Sequence, residues 1–338
     1  MRKLLLPLVS FIIISCDNST SNPEPEISLS QLLIDHQKMD LEADTLRPEL
    51  GLNTLANAVS FDFAISQDGQ LKANGTSIKP GDQIDIRGIT QIEVFHKDKL
   101  VKKYPIKPSS VWKNYGLGTY QTQMKSLNKT YSYYLDQGGS GLYQYINCGP
   151  AVSTMSLLWK DSTYTNTIEY ARNTISPLGG WWYTYDISMF LEERGIQTRY
   201  LSLQDASQYE NTMISMLDQG IPFILCLDMY YTEQNPSPIE RTHRFYNASS
   251  PDWGHFILVK GYKIIDDQLW LECHDPYTFG RTYPDSHLMG ENRYYTSKEL
   301  KKATDIWWPY LIALYKNTPT ARFDFVTPPP QKGRGFFK

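Results

Sequence analysis

Apolar and polar positions change texture several times along the chain, and each texture predicts a different element. Leu4 to Ile14 form an apolar run too short to span a membrane as a helix, which takes roughly 20 residues. Residues 17–27, DNSTSNPEPEI, are polar and proline-bearing, the makeup of a tether, and 29–43 read as a short helix that completes a 17–57 lead-in. From 58 to 107 the text breaks into short alternating stretches, VSFDFAI, QIDIRG, QIEVFH and KLVKKYPIKP, with Asn74-Gly75 and Pro80-Gly81 as turns. That pattern predicts a small antiparallel β module.

Residues 110–318 are built differently. Helical spacing recurs at 148–160, about 164–174, 186–194 and 207–219, with Gly195 and Gly220 placed as C-terminal stops. QTRYLSL, PFILCLDM, HFILVKGY, LWLECHDP and YLIALYK are runs of strand length. Their order predicts one α+β domain, with helices packed on a mainly antiparallel sheet. Residues 319–338 carry the proline, glycine and basic content of a loose tail.

Composition narrows the function. A chain of 338 residues with a formal charge of -3 has room for a large domain and a smaller one, and no basic field to attract nucleic acid. Its 24 tyrosines and eight tryptophans cluster, as in WWYTYD and WWPY, and either wall a groove or fill core. Arg2 and Lys3 ahead of the apolar run, with IISC at 13–16 behind it, resemble an export signal ending in a bacterial lipoprotein cleavage box. Cys16 would then be the lipidated N-terminus, holding the exported protein on a membrane of the cell envelope. A plain secretory signal is the alternative.

With Cys16 on lipid, Cys148, Cys226 and Cys273 remain, an odd number in a compartment that permits disulfides. Cys226 and Cys273 sit in apolar strand-like runs and read as buried, paired or not. No CxxC or HExxH occurs, and His274-Asp275 alone makes no zinc site, so neither metal nor cofactor is expected.

Cys148 is different. In YINCGPAVSTMSLLW, Ala151, Val152, Met155, Leu158 and Trp159 recur at helix spacing, so Asn147 reads as the N-cap and Cys148 opens the first turn. Unpaired N–H groups and the helix dipole favour an anion there, and Pro150 is tolerated. A thiolate so placed is a nucleophile, and it needs a proton partner. Among six histidines, His243, His255 and His274 remain once those in the N-terminal part and a loop are set aside. His255 opens an apolar strand that would anchor its ring. If the 255–262 and 268–274 strands form a hairpin, the end of the second lies beside the start of the first, and Asp275 meets His255.

Cysteine, histidine and aspartate in that order carry a resemblance. DQGGSGLYQYINCGPAVSTM, WGHFILVKGY and HDPYTFG resemble a papain-like cysteine peptidase of the C39-like type, related to those that trim bacteriocin leaders, over residues 130 to about 300. The resemblance implies Cys148 as nucleophile, His255 as base and acid, Asp275 as its orienting group, and an upstream glutamine in the oxyanion hole. That glutamine is Gln137 or Gln144, with Gln137 preferred. It further implies a peptide or protein substrate and cleavage of amide bonds. A transamidase using the same thioester, or a lipoprotein that binds peptide or glycan without turnover, are the other readings. No transporter spans and no GxxxxGK[ST] motif accompany the domain. The segment 230–253, long for a loop, reads as a lid, a substrate rim or a surface excursion.

Overall fold

The computed structural model describes residues 29–205, 207–317 and 323–328. The apolar run, the tether and Cys16 lie outside them.

The N-terminal module starts earlier than its alternating text. Leu29–Ile34 is a strand, not the first turns of a helix, and it pairs antiparallel with Val59–Ile65. Leu32 and Ile34, two apart, both point into the core, a strand period that a short apolar run shares with a helix. Asp35 and His36 then take φ of 52° and 63°, the left-handed pair of a tight hairpin turn into Gln37–Lys38. Two four-stranded antiparallel sheets result. They share one core, in which Leu32, Ile34 and Phe61 meet Leu71, Ile92 and Val94.

The larger domain is α+β, around an eight-stranded sheet. From one edge the strands run Arg293–Thr296, Gln268–His274, Gly254–Ile265, Phe223–Asp228, Tyr310–Tyr315, Gln197–Ser202 and Phe325–Val326, all antiparallel to their neighbours. Gln121–Ser126 pairs with the far half of Gly254–Ile265. Phe325–Val326 shows that part of the expected tail is a sheet strand.

Both sheet faces are covered, which explains why the central strands read as unbroken apolar runs. On one face Ile224, Cys226, Phe256 and Leu258 pack against helices Cys148–Lys160, Ile168–Ile175 and Thr184–Glu192. On the other Leu225, Leu227, Ile257 and Val259 pack against Tyr209–Asp218 and Ser297–Trp307. The last helix is absent from the sequence-based expectation, although Thr296 and Glu299 form a capping box that announces it. Cys226 faces the first layer and Cys273 the second, so no disulfide joins them.

Candidate active site

Cys148 is the first residue of its helix, and the residue before it caps in an unusual way. Asn147 occupies the N-cap position but makes no side-chain cap bond. Its Oδ1 accepts from Arg172 Nε at 2.8 Å, and its Nδ2 donates to Ser140 Oγ at 2.8 Å. With the capping oxygen engaged elsewhere, the first-turn N–H groups stay open toward an anion.

The histidine and the carboxylate come from the hairpin Gly254–Ile265 and Gln268–His274. Asp266 and Asp267, with φ of 49° and 62°, make its two-residue turn. A register shift between Val259 and Gly261 brings Leu258 opposite His274. His255 Nε2 then lies 2.8 Å from Asp275 Oδ1, both side chains buried. The other ring nitrogen, Nδ1, is left for Cys148, which lines the same cleft as the ring and feels its charge.

Asp275 is held from every side. Its Oδ1 also accepts from the Tyr277 backbone N–H at 3.0 Å, and its Oδ2 accepts from Tyr295 and Tyr246 hydroxyls at 2.7 and 3.1 Å. Burial pushes the carboxyl up, yet the His255 ring and these donors bring it below its usual range. Burial likewise disfavours a charged His255, but Asp275 and the Cys148 sulfur raise it to about 10. Cys148 follows the same logic: burial raises the thiol, while His255 and the backbone N–H groups of Phe256 and Gly149 take it below its ordinary value. The arrangement favours a thiolate beside an imidazolium.

The other histidines are engaged elsewhere. His243 Nδ1 sits 2.9 Å from Glu299 Oε1. His274 packs edge-on against the rings of Tyr133 and Tyr134, and burial holds it well below its ordinary value, hence neutral.

The two glutamines separate. Gln144 Oε1 accepts from the Gly139 N–H at 2.7 Å, which orients its amide within its own turn. Gln137, 1% exposed, donates one Nε2 hydrogen to the Gln144 carbonyl at 2.9 Å and keeps a second. Asp136 fixes this loop against the one after Asp275: its carboxylate accepts from the N–H groups of Gly138, Thr278, Phe279 and Gly280.

Cys148 and His255 open on a cleft of about 360 Å³ walled by Tyr145, Ile146, Trp181, Trp253 and Tyr277. Part of the aromatic text thus forms a groove, and part, including Tyr133, Trp159 and Trp182, fills core. The segment 230–253 is strapped down. Buried Arg293 donates to the carbonyls of Asn235, Glu240 and Thr242, and the segment supplies Tyr246 beneath Asp275 and Trp253 to the cleft wall.

Arg172 is the site residue that sequence reasoning missed. It is 1% exposed, and its Nη2 and Nη1 donate to the carbonyls of Ile146 and Gly180 at 2.7 Å each, besides the bond to Asn147. A signal existed. Ile168, Ala171 and Ile175 form the apolar stripe of its helix, and a charge standing on that stripe at position 172 marks a buried cation.

Among the described residues, no group of three or more His, Cys, Asp and Glu side chains could hold a metal ion, and no helix is long and apolar enough to cross a membrane. Comparison with known proteins finds a family model described as Peptidase_C39 like family, matching residues 119–302. The solved peptidase domain of Streptococcus ComA, described as a bi-functional ABC transporter involved in a quorum sensing pathway, is 17% identical, covering 54% of this chain and 98% of that one at a TM-score of 0.32. A protein described as a C39-like peptidase, from Bacillus anthracis, is 9% identical, covering 58% of this chain and all of that one at 0.39. No curated protein matches.

Proposed function

The chain belongs to the peptidase C39 like family, and from that premise we propose that it cleaves peptide bonds through Cys148, His255 and Asp275. The observation that supports this reading above the others is the contact of His255 with Asp275 on one side and Cys148 on the other. The Cys148 thiolate attacks the scissile carbonyl, and its backbone N–H together with the spare Gln137 amide hydrogen receives the developing oxyanion. The His255 imidazolium gives its proton to the departing amine, leaving a thioester. Water, losing a proton to His255, attacks that thioester; the acid leaves, and the thiolate–imidazolium pair is restored. Asp275 keeps the ring oriented and its charge balanced throughout. The cleft walls favour a substrate with an apolar or aromatic side chain beside the scissile bond.

The test is a mixed peptide library with an added primary amine, and a thiol-directed peptide electrophile. Free acid products and labelling at Cys148, both lost in Cys148→Ala, are expected. Amide products would make the protein an acyl transferase, and saturable peptide binding with neither product nor label would make it a binding protein. We also propose export and lipid anchoring through Cys16, on the strength of Arg2, Lys3, the apolar run and IISC. Mass spectrometry of the mature N-terminus should find acylated Cys16; a different, unmodified terminus would refute it.

A further inference from the structure

The peptidase reading needs Gln137 and Asp275 at once, the first to meet the oxyanion and the second to orient His255, yet they stand on segments far apart in the chain. Bonds between those segments fix their separation. The Gln137 backbone N–H donates to the Pro276 carbonyl at 2.8 Å, and the Tyr134 hydroxyl donates to the Asp275 carbonyl at 2.8 Å. Asp136 adds three more. Its Oδ1 accepts from the Thr278 and Phe279 N–H groups at 3.2 and 2.9 Å, and its Oδ2 from that of Gly280 at 2.7 Å. Oδ1 also takes the Gly138 N–H of its own loop at 2.8 Å. Hydrogen bonds to a carboxylate are roughly twice as strong as neutral ones, so Asp136 binds the two loops more firmly than the neutral bonds beside it.

The neighbouring residues are shaped around this clasp. A Cβ on Gly138 would lie 2.7 Å from Phe279 Cα, so a side chain there would force the loops apart. Phe279 takes φ of 51°, a left-handed conformation that is rare for a bulky residue, and its N–H is among those that Asp136 holds. Backbone of this kind persists only where its surroundings over-determine it, and it gathers at functional sites. Gln137 follows Asp136 directly, so a displaced carboxylate displaces the amide next to it.

We propose that Asp136 is a positioning residue for the acyl transfer: by holding the backbone of 278–280 it fixes the Gln137 amide where the oxyanion develops. This role rests on the peptidase reading, with Gln137 as the oxyanion donor. Misplacing a positioned group by about 1 Å costs roughly 10²-fold in rate, and losing an oxyanion donor about 10²–10³-fold, so Asp136 governs a large part of the rate without touching substrate.

The test compares two reactions of Cys148 in the full chain, with Cys148→Ala as the blank. p-Nitrophenyl acetate acylates the thiolate: sulfur bonds to the acetyl carbon, the carbonyl oxygen carries the negative charge in the tetrahedral intermediate, and p-nitrophenolate leaves with its electron pair. Iodoacetamide alkylates it, displacing iodide from a saturated carbon with no oxyanion. Asp136→Ala should slow acylation at least tenfold while alkylation stays within twofold of the parent. Asp136→Asn keeps an acceptor for three of the four N–H groups and should fall between, at least threefold slow; it carries the test by itself if unfolding transitions show that Asp136→Ala does not fold. In a Gln137→Ala background, which should itself be at least tenfold slow, Asp136→Ala should add less than twofold, an outcome that a general loss of stability does not produce. Unchanged acylation in the folded Asp136 variants, alkylation slowed as much as acylation, or losses that multiply in the double variant would each overturn the role of Asp136 and leave the peptidase reading standing. Gln137→Ala acylating as fast as the parent would remove the oxyanion assignment and this role with it. A parent Cys148 that p-nitrophenyl acetate does not acylate would sink the peptidase reading itself, and the role of Asp136 with it.

Discussion

Arg172→Met is the sharpest single perturbation of the site that leaves its three reacting groups in place. The guanidinium makes three bonds of 2.7–2.8 Å, to Asn147 Oδ1 and to the carbonyls of Ile146 and Gly180, from a position 1% exposed. Methionine fills a similar space and restores none of them. A buried polar group left without its partner costs about 1–3 kcal/mol, which puts the gross loss for three acceptors at roughly 3–9 kcal/mol. Part is returned, because the burial that lowers the Arg172 pKa is a desolvation penalty the variant no longer carries. A net destabilisation of about 2–4 kcal/mol is therefore expected, read by urea unfolding monitored through tryptophan fluorescence. The second expected effect is local. The Arg172 cation and the Cys148 thiolate stabilise one another, so removing the cation raises the thiol pKa, and the pH profile of iodoacetamide alkylation shifts upward. Arg172→Lys keeps the charge but cannot reach three acceptors, so it should restore the alkylation profile better than the stability. A stability within about 0.5 kcal/mol of the parent, with an unshifted profile, would refute the reasoning.

The other predictions follow from the same geometry. Asp275→Asn removes the main charge that raises His255 to about 10, so the alkaline limb of kcat/KM against pH should move down, and the rate should fall by about 10²–10⁴-fold with little change in KM; an unmoved limb would refute the coupling. For stability the signs are opposite. The raised His255 contributes fully below about pH 6.5 and loses that contribution as pH climbs toward about 10, while the depressed Asp275 contributes above about pH 4 and loses it as pH falls, so Asp275→Asn should flatten both ends of the unfolding profile. Gln137→Ala should lower kcat by about 10²–10³-fold and Gln144→Ala by far less; equal losses would show that neither amide serves the oxyanion alone.

The chain's own text carried a good deal of this. Period-3.6 spacing located the helix behind Cys148, continuous apolar runs located the buried strands, and the short 255–274 hairpin placed His255 beside Asp275 without any long-range knowledge, because its turn is only two residues long. Where the local signal was degenerate the text misled: LSQLLI fits a helix or a strand, and pairing with Val59–Ile65, some 30 residues away, settles it. The glutamines show the same limit, since both precede Cys148 and only the folded loop shows Gln137 buried and the Gln144 amide oxygen turned back onto the Gly139 N–H.

What the sequence determined by itself is the set of elements and the local chemistry at their ends, properties of neighbours along the chain. Only the tertiary structure decided which groups are deprived of water and what replaces it. Arg172 and the two tyrosines under Asp275 arrive from distant segments, and their energies depend on burial and on partners that no local pattern records.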